Sequence, residues 1–169
     1  MAHNHLEQLI AEWYEYQGYF VKRNVLVGKR PKGGYECELD VVAFHPGTQH
    51  LVHLEPSLDA DSWAVRECRF QKKFDAGKKY IKDLFNGLPM PEHIEQIAVL
   101  VFAGSVNHPT LGGGRVLIAD QLIEDIFMSL KDKRLESNAI PEQLIILRSF
   151  QYVNQYRNSV LNAWNWPSK

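Results

Sequence analysis

The residues best suited to chemistry are acidic side chains at alternate positions in the segment ECELDVVAF, residues 36–44. Alternate residues of a β-strand face the same side, so this segment predicts a strand with one acidic and one apolar face. The acidic face carries Glu36, Glu38 and Asp40 and continues into Val42 and Phe44, and the apolar face carries Cys37, Leu39, Val41 and Ala43. The carboxylates therefore cluster at one end of the strand, and the second set belongs to the core.

The next predicted strand, residues 50–55, decides whether these carboxylates meet another one. If the loop between the strands comprises residues 46–49, Asp40 lies opposite Glu55 on one face. A loop longer by one residue places them on opposite faces, because a one-residue slip inverts every side chain. His53 shares the face of Glu55, where it either donates to a phosphate or the carboxylates or is a plain surface histidine.

Two carboxylates opposed at about 5 Å are destabilising unless a cation lies between them. A hard divalent ion such as Mg²⁺ suits this position, since it binds carboxylate and water oxygens and leaves room for a phosphate. Such an ion activates water and neutralises charge that develops on phosphorus. The same loop puts Glu38 opposite Ser57, beside the pair. The alternative is that Glu36, Glu38 and Asp40 are solvated strand residues.

Positive charge is concentrated in RECRFQKKFDAGKKYIK, residues 66–82, whose seven basic and two acidic residues give a local net charge of +5 in a chain of net charge −1. On a helix much of this charge forms a stripe, and apolar residues can face inward. The stripe comprises Arg66, Arg69, Lys72, Lys73 and Lys79, and the inward residues are Phe70, Phe74 and Ile81. The segment GKRPKGG, residues 28–34, adds a flexible loop with Lys29, Arg30 and Lys32. These segments predict a contact surface for a polyanion. The alternative is a solvated helix face.

Length and composition limit the class of protein. With 169 residues, of which 45% are hydrophobic and 23% charged, the chain is predicted to be one globular domain rather than a disordered, collagen-like or coiled-coil chain. We expect a core of about residues 5–133 and a C-terminal extension of about 134–169. Two cysteines favour a reducing compartment. No run approaches the roughly 20 apolar residues of a membrane helix, so we expect a cytoplasmic protein without membrane contact.

The predicted elements follow the order helix, three strands, helix, strand and further elements. The predicted bounds are a helix at 5–17, strands at 19–27, 36–44 and 50–55, a basic helix ending near 86–87, strands at 96–103 and 115–119, and a helix from Asp120 to about 133. The segment 141–156 fits either helix or strand. This order predicts an α/β fold with a mixed sheet between helices.

The order of elements, together with Asp40 and, after fourteen intervening residues, Glu55-Pro56-Ser57, resembles the PD-(D/E)XK, or restriction-endonuclease-like, nuclease superfamily. The resemblance covers about residues 5–103 and implies a three-layer fold with an αβββαβ core. The family pattern is an acid on the second core strand and E-x-K on the third, which Asp40 and Glu55 match. The segment HLEQLIAEWYEYQGYFVKRNV looks like the first helix and strand of the Holliday-junction-resolvase branch, where a helix glutamate adds a metal ligand. Glu7 is the match, with Glu12 second.

The chain departs from the family pattern at two positions. Ser57 occupies the place of the lysine thought to position the attacking water, and Lys72, Lys73 or Lys22 could supply the missing ammonium group. Pro56 removes a ladder hydrogen-bond donor from what should be a central strand, so we expect that strand to bend or end beside the site.

The resemblance implies a Mg²⁺- or Mn²⁺-dependent nuclease that hydrolyses phosphodiester bonds, most readily those of DNA. The implied catalytic residues are Asp40, Glu55, Ser57, Lys72 and Lys73, and the implied metal ligands are Asp40 and Glu55 with Glu7 or Glu38. The implied nucleic-acid contacts are Lys29, Arg30, Lys32, Arg66, Arg69, Lys72, Lys73 and Lys79. The alternative is a catalytically inactive nucleic-acid-binding or assembly protein on the same fold. A homodimer or a partner protein is compatible with both.

Overall fold

The computed structural model of the chain describes residues 5–102 and 108–165. Its helices are α1 (His5–Tyr16), α2 (Trp63–Tyr80), α3 (Ala119–Leu130), α4 (Ile145–Gln155) and α5 (Arg157–Trp164). Its strands are β1 (Phe20–Lys29), β2 (Tyr35–His45), β3 (His50–Ser57), β4 (Glu95–Leu100), β5 (Thr110–Leu111) and β6 (Gly114–Ile118). Short 3₁₀ segments occupy Ile81–Phe85 and Leu135–Ser137. None of the described helices is long and apolar enough to cross a membrane.

The strands form one six-stranded mixed sheet in the order β1-β2-β3-β4-β6-β5. The first three strands form an antiparallel meander, β4 and β6 are added in parallel, and β5 pairs antiparallel with β6. The predicted α/β class with a mixed sheet is therefore confirmed. The short β5 was not predicted; it lies in the segment 104–114, which was expected to be a loop and of which residues 104–107 lie outside the described ranges.

The register of the β2–β3 hairpin is the one that the four-residue loop predicts. His45 pairs with His50, and the pairing runs without a slip to Val41 and Leu54. The residues after Leu54 on β3 therefore keep the predicted orientation, with Glu55 on the same face as His53. This register places the acidic end of β2 beside the end of β3.

Each face of the sheet is covered by different helices. Apolar side chains of α1, α3 and α4 pack on one face, where the shared core includes Leu9, Ile10, Val52, Leu54, Leu122, Ile126, Leu144 and Leu147. Helix α2 and the 3₁₀ turn after it cover the other face, with Phe70 and Phe74 against Ala98 and Leu100, and Ile81 against Val42 and Phe44. The inward-facing residues predicted for the basic helix are thus confirmed.

Three local predictions are settled by packing. The ambiguous segment 141–156 forms helix α4, whose Leu147 is fully buried in the core shared with α1. The helix predicted from Asp120 to about 133 begins one residue earlier, at Ala119, and ends at Leu130. The segment from Ile140 onward, predicted to be part of an extension, supplies side chains to the same core as the sheet.

Pro56 lies in β3 without ending it. The pairs between β2 and β3 stop at Val41 and Leu54, whereas the parallel pairs with β4 continue to Ser57. The Val101 N–H donates to the Ser57 carbonyl at 3.3 Å, so the neighbouring Pro56 nitrogen points to the opposite side, where the ladder has ended. The prediction that the strand ends beside the site is correct for its β2 side and wrong for its β4 side.

Candidate active site

Asp40 and Glu55 lie together where β2 and β3 separate. The Asp40 backbone N–H donates to Glu55 Oε1 at 3.2 Å, so the two strands remain joined by a side chain where their ladder ends. The Glu55 side chain is 1% exposed and the Asp40 side chain 15%. The predicted meeting of these two residues is confirmed, with Glu55 forming the floor of the site and Asp40 facing its opening.

Lys73, on helix α2, supplies the cation between the two carboxylates. Its Nζ donates to Asp40 Oδ1 at 2.5 Å and also to Glu55 Oε2. The prediction offered Lys22, Lys72 and Lys73 as possible sources of an ammonium group, and the structure brings Lys73 to the pair. Because Lys73 carries one positive charge, it offsets one carboxylate and leaves the second available for another cation.

His53 contacts Glu55 on the interior side of the site. Its Nε2 lies 2.7 Å from Glu55 Oε1, and its ring is fully buried against Phe74. Burial, followed by the charge of Lys73, lowers the pKa of His53 to about 3 despite the charge of Asp40. The ring is therefore neutral, and we assign the proton to Nε2, which donates to the carboxylate. The interpretation of His53 as a surface histidine is wrong, and its interpretation as a donor to the carboxylates is supported.

Gln96, on β4, completes this chain of hydrogen bonds. Its Nε2 donates to the Phe74 carbonyl at 2.8 Å and lies 3.4 Å from His53 Nδ1. Three elements thus hold the imidazole so that only one of its nitrogens faces Glu55. The sequence offered no sign of this role, since Gln96 lies in a long apolar run.

Burial raises the pKa of both carboxyls of the site. Burial, followed by the hydrogen bond to and the charge of Glu55, raises the pKa of Asp40 to about 7 although Lys73 opposes the shift. Burial also raises the pKa of Glu55, against the hydrogen bonds and the positive charge of Lys73 that favour its ionised form. The attraction of both carboxylates raises the pKa of Lys73 in spite of burial. Near neutral pH the site therefore holds a charged lysine, and Asp40 gains or loses a proton readily.

Gly77 allows α2 to lie close enough for Lys73 to reach the pair. A Cβ atom at Gly77 would overlap with the Nδ1 and Cε1 atoms of the His53 ring. Lys73 and Gly77 are four residues apart and therefore on the same face of the helix. The absence of a side chain at Gly77 thus sets the distance between α2 and the sheet at this point.

Ser57 lies in a separate polar network. Its Oγ donates to Asp59 Oδ2, and Arg69 donates to the same Oγ at 3.2 Å. Arg66 donates through Nε to Asp59 Oδ1 at 3.1 Å and through a terminal nitrogen to the Phe102 carbonyl at 3.2 Å. The place of the motif lysine is therefore filled by a serine held between an aspartate and an arginine, and no hydrogen bond joins Ser57 to Lys73 or Asp40 among the described residues.

The other predicted metal ligands do not join the pair. No group of three or more His, Cys, Asp or Glu side chains in residues 5–102 and 108–165 is arranged to hold a metal ion. Glu7 belongs to α1, which packs through Leu9 and Ile10 on the face of the sheet opposite α2. Glu38 precedes the last β2–β3 pair, so it does not face Ser57 in the ladder as predicted.

Glu12, the second match to a helix glutamate ligand, has a structural contact instead. It is 4% exposed, and its Oε2 accepts the backbone N–H groups of Ile146 and Leu147 at 2.8 and 3.0 Å. These are the first turn of α4, where N–H groups lack partners within the helix. Glu12 therefore joins α1 to α4.

The residues present still fit a divalent ion bound by two carboxylates. Asp40 and Glu55 offer hard oxygen donors from neighbouring strands, and both already converge on one cation, the Lys73 ammonium group. Mg²⁺ is commonly held by one or two carboxylates, with water and substrate phosphates completing its shell. The fit is to a site with two protein ligands, not to the three predicted.

The predicted nucleic-acid contacts divide into accessible and engaged cations. Arg66 is 3% exposed and bonded to Asp59, so its prediction as a surface contact is wrong. Arg69 is partly exposed but pairs with Asp59 and Asp61. The accessible cations are Lys29, Arg30, Lys32, Lys72 and Lys79, of which only Lys79 forms an ion pair with a described residue, Glu36. A cleft of about 360 Å³ between the β1–β2 hairpin and α2 is lined beside Cys37 by three cations, Arg30, Lys72 and Lys79, and by two acids, Glu36 and Asp75, which pair with Lys79 and Lys78.

This cleft adjoins the site, since the charges of Lys73 and Glu55 both affect the pKa of Cys37. The corrected basic surface therefore runs from the hairpin loop along α2 to Asp40.

No protein-family model, no curated protein and no solved structure matches this chain.

Proposed function

We propose that the chain is a metal-dependent nuclease with a restriction-endonuclease-like fold. The observation that carries the proposal is the convergence of Asp40, Glu55 and Lys73 at the point where β2 and β3 separate. An acid on the second strand, an acid on the third strand and a lysine are the groups of the family motif. In this chain the lysine comes from helix α2 rather than from the position after Pro56.

The order of elements supports the same proposal. A helix, an antiparallel meander of three strands, a second helix and a strand parallel to the third follow one another along the chain. The two acids lie where β2 and β3 separate, beside the accessible cations of the hairpin and α2. A phosphodiester chain lying along that basic surface would be brought to the opening beside Asp40.

Each side chain has a distinct part in the proposed reaction. Asp40 and Glu55 would hold Mg²⁺ or Mn²⁺, which when bound supplies charge neutralisation and a more acidic water. His53 keeps Glu55 oriented by donating to Oε1. Lys73 faces both carboxylates and would place its positive charge beside the phosphate that undergoes attack. Arg30 and Lys72 would hold neighbouring phosphates in the cleft.

The adjacent lysines of α2 provide a matched test of this assignment. We expect Lys73→Met to lower the rate of Mg²⁺-dependent cleavage of plasmid or branched DNA by about 100-fold or more, since it removes positive charge from the reacting phosphate. Lys72→Met, which removes an exposed lysine without an ion pair to a described residue, should weaken DNA binding modestly and leave most of the cleavage rate.

Metal binding distinguishes two possible roles of Lys73. The lysine either acts on the phosphate during cleavage or only occupies the carboxylates in place of a metal ion. Lys73→Met should bind Mn²⁺ at least as tightly as the wild type, because a competing cation has left the carboxylates, while cleavage is lost. Cleavage by Lys73→Met at the wild-type rate or faster would contradict the role given to Lys73. Metal-dependent cleavage that survives both Asp40→Asn and Glu55→Gln would refute the site itself.

One observation favours the second candidate, a non-catalytic nucleic-acid-binding protein on the same fold. Glu55 is 1% exposed and accepts from three donors, so its carboxylate is well satisfied without a metal ion. DNA binding by the wild type without cleavage in Mg²⁺ or Mn²⁺ is the result expected of that candidate.

A further inference from the structure

A second cleft lies on the side of the molecule away from α2. It has a volume of about 530 Å³ and is formed where α3 ends, where the connecting segment 131–137 turns, and where α4 gives way to α5. Helices α3 and α4 pack on the sheet face opposite α2. The cleft is therefore separate from Asp40 and Glu55, and a ligand bound in it would not depend on the proposed function.

The walls of this cleft are fixed by hydrogen bonds from amide side chains of α4. Gln151 is fully buried, and its Nε2 donates to the carbonyls of Lys133 and Arg134 at 3.0 Å each. Gln155 Oε1 accepts the Leu135 N–H at 3.0 Å, and Asn154 donates to the Phe127 carbonyl at 3.0 Å. The backbone of the connecting segment is thus held in place, while its charged side chains point outward.

The lining of the cleft carries more cations than anions, although the charge of Arg134 acts on the nearby Glu136 carboxyl. Its lining includes four basic residues, Lys131, Lys133, Arg134 and Arg157, and two acidic ones, Asp132 and Glu136. Within residues 5–102 and 108–165, none of the four cations forms an ion pair or a side-chain hydrogen bond. Glu136 is already engaged by Gln155 at 3.2 Å. Like charges gathered in a concave surface create a field that attracts an anion.

The lining indicates what kind of anion fits. It contains no aromatic side chain among the described residues, and its one aliphatic residue, Leu130, is fully buried. A nucleobase or an acyl chain would find no surface to pack on. Two guanidinium and two ammonium groups instead match phosphate oxygens, which arginine binds through paired hydrogen bonds.

We propose that this cleft binds a phosphate-rich anion through two or more of its phosphate groups. Arg134 comes from the connecting segment and Arg157 from the start of α5, so a ligand that contacts both would bridge the two sides of the cleft. The same chemistry is offered by a free oligophosphate and by the backbone of a nucleic acid. The two sources are distinguished by experiment.

The test uses the full chain, inorganic tripolyphosphate and a DNA duplex. Titration calorimetry should show tripolyphosphate binding to the wild type, and Arg134→Gln/Arg157→Gln should weaken that binding about ten-fold or more. The matched control is Arg23→Gln/Lys82→Gln, which removes the same charge from exposed positions that do not line the cleft. The control should change the affinity less than about two-fold, the effect of net charge alone.

The duplex identifies the source of the phosphates. If Arg134→Gln/Arg157→Gln also weakens duplex binding more than the control does, the ligand is a nucleic-acid backbone; if only tripolyphosphate binding is lost, it is a free oligophosphate. No binding of either probe to the wild type, or an equal loss in both double variants, would overturn the proposal. Urea unfolding of each variant should match the wild type, because all four substituted side chains are exposed.

Discussion

The residues around Glu55 show how charge is balanced in a nearly closed site. Lys73 brings one positive charge to two carboxylates, His53 is neutral, and the pKa of Asp40 is raised to about 7. Burial raises the pKa of both carboxyls against the charge of Lys73, so the site disfavours two ionised carboxyls at once. Asp40 is the more exposed of the two and faces the opening.

Substitution of Ser57 by lysine tests whether restoring the motif lysine increases cleavage. Ser57→Lys would place a third cation beside Arg66 and Arg69 in a position that is 8% exposed. We expect no gain of cleavage and a free energy of unfolding lower by about 2–3 kcal/mol, the cost of an unpaired buried charge. Ser57→Ala removes a hydroxyl that donates to Asp59 and accepts from Arg69, and it should cost about 1–3 kcal/mol. Urea denaturation and the plasmid assay measure both quantities, and increased cleavage by Ser57→Lys would contradict this expectation.

Asp59 makes the same network sensitive to acid. Burial alone would raise the pKa of Asp59. Hydrogen bonds from Ser57, the Asp61 N–H, Arg66 and Arg69 outweigh burial and lower the pKa to about 2. A carboxyl whose pKa is lowered on folding stabilises the protein above its unfolded pKa, and this stabilisation is lost as the pH falls toward the folded value. Asp59→Asn should therefore be less stable than the wild type at pH 7 by about 2 kcal/mol, and the difference should shrink between pH 4 and pH 2.

Urea denaturation at a series of pH values measures this difference. The control is Asp61→Asn, which loses only a half-exposed ion pair with Arg69 and should cost less than about 1 kcal/mol. A deficit of Asp59→Asn that stays constant down to pH 2 would show that the carboxyl is not held in its ionised form by these neighbours.

At the scale of elements, the placement of α2 decides which cation reaches the acids. The helix lies against β2, β3 and β4, with Phe74 beside the His53 ring and Lys73 one residue earlier. Lys72 and Lys73 are adjacent in the sequence, but a helix turns by 100° per residue, so they point in different directions. Lys73 faces the carboxylates, and Lys72 faces solvent and the cleft beside Cys37.

Gly77 should be the most sensitive position of this helix. In an exposed helix interior, alanine is about 1 kcal/mol more favourable than glycine. In α2 the added methyl group would overlap with the His53 ring, so we expect Gly77→Ala to lower the free energy of unfolding by about 1–3 kcal/mol. Urea denaturation measures the change. In a His53→Ala background the same substitution should cost much less, and an equal cost in both backgrounds would place the clash elsewhere.

At the scale of the whole molecule, helix α4 is part of the folded unit around the sheet, whereas α5 buries no residue. Helix α4 packs on α1 and α3, and Leu144 and Leu147 share a core with residues of β3 and β4. The Glu12 carboxylate adds a polar link between the first helix and the start of α4, 134 residues further along the chain. Loss of that link should loosen the C-terminal segment from the sheet.

Glu12→Gln tests this long-range link. It replaces a buried carboxylate that accepts two N–H groups with a neutral amide, and we expect a loss of about 2 kcal/mol, the value of hydrogen bonds to a charged group. Amide exchange of Ile146 and Leu147 should accelerate more than that of β2. Glu15→Gln, at an exposed position of the same helix, should change neither quantity measurably. Equal effects of the two substitutions would contradict a specific role for Glu12.

Local patterns were sufficient to predict much of the sheet and the two acids. Alternation placed Asp40, Val42 and Phe44 on one face of β2 and Val41 on the other, although Cys37 and Leu39, predicted to share the face of Val41, pack in the core of Val42 and Phe44. The pairing with β3 is the one that a four-residue loop predicts, one of the two loop lengths that the sequence allowed. With the four-residue loop, Asp40 and Glu55 could be placed together from residues close in the sequence. The inward face of α2 followed from its helical period in the same way.

The tertiary structure alone decided which neighbours those residues have. That Lys73 rather than Lys72 or Lys22 reaches the acids, that His53 and Arg66 are buried, and that Glu12 binds α4 all depend on how helices lie on the sheet. Such contacts join residues far apart in the chain, and a charged or imidazole side chain has the same local pattern whether it is solvated or paired in the interior. The amino-acid order thus specified a pair of acids and a supply of cations, and the packing of α2 and α4 determined their partners.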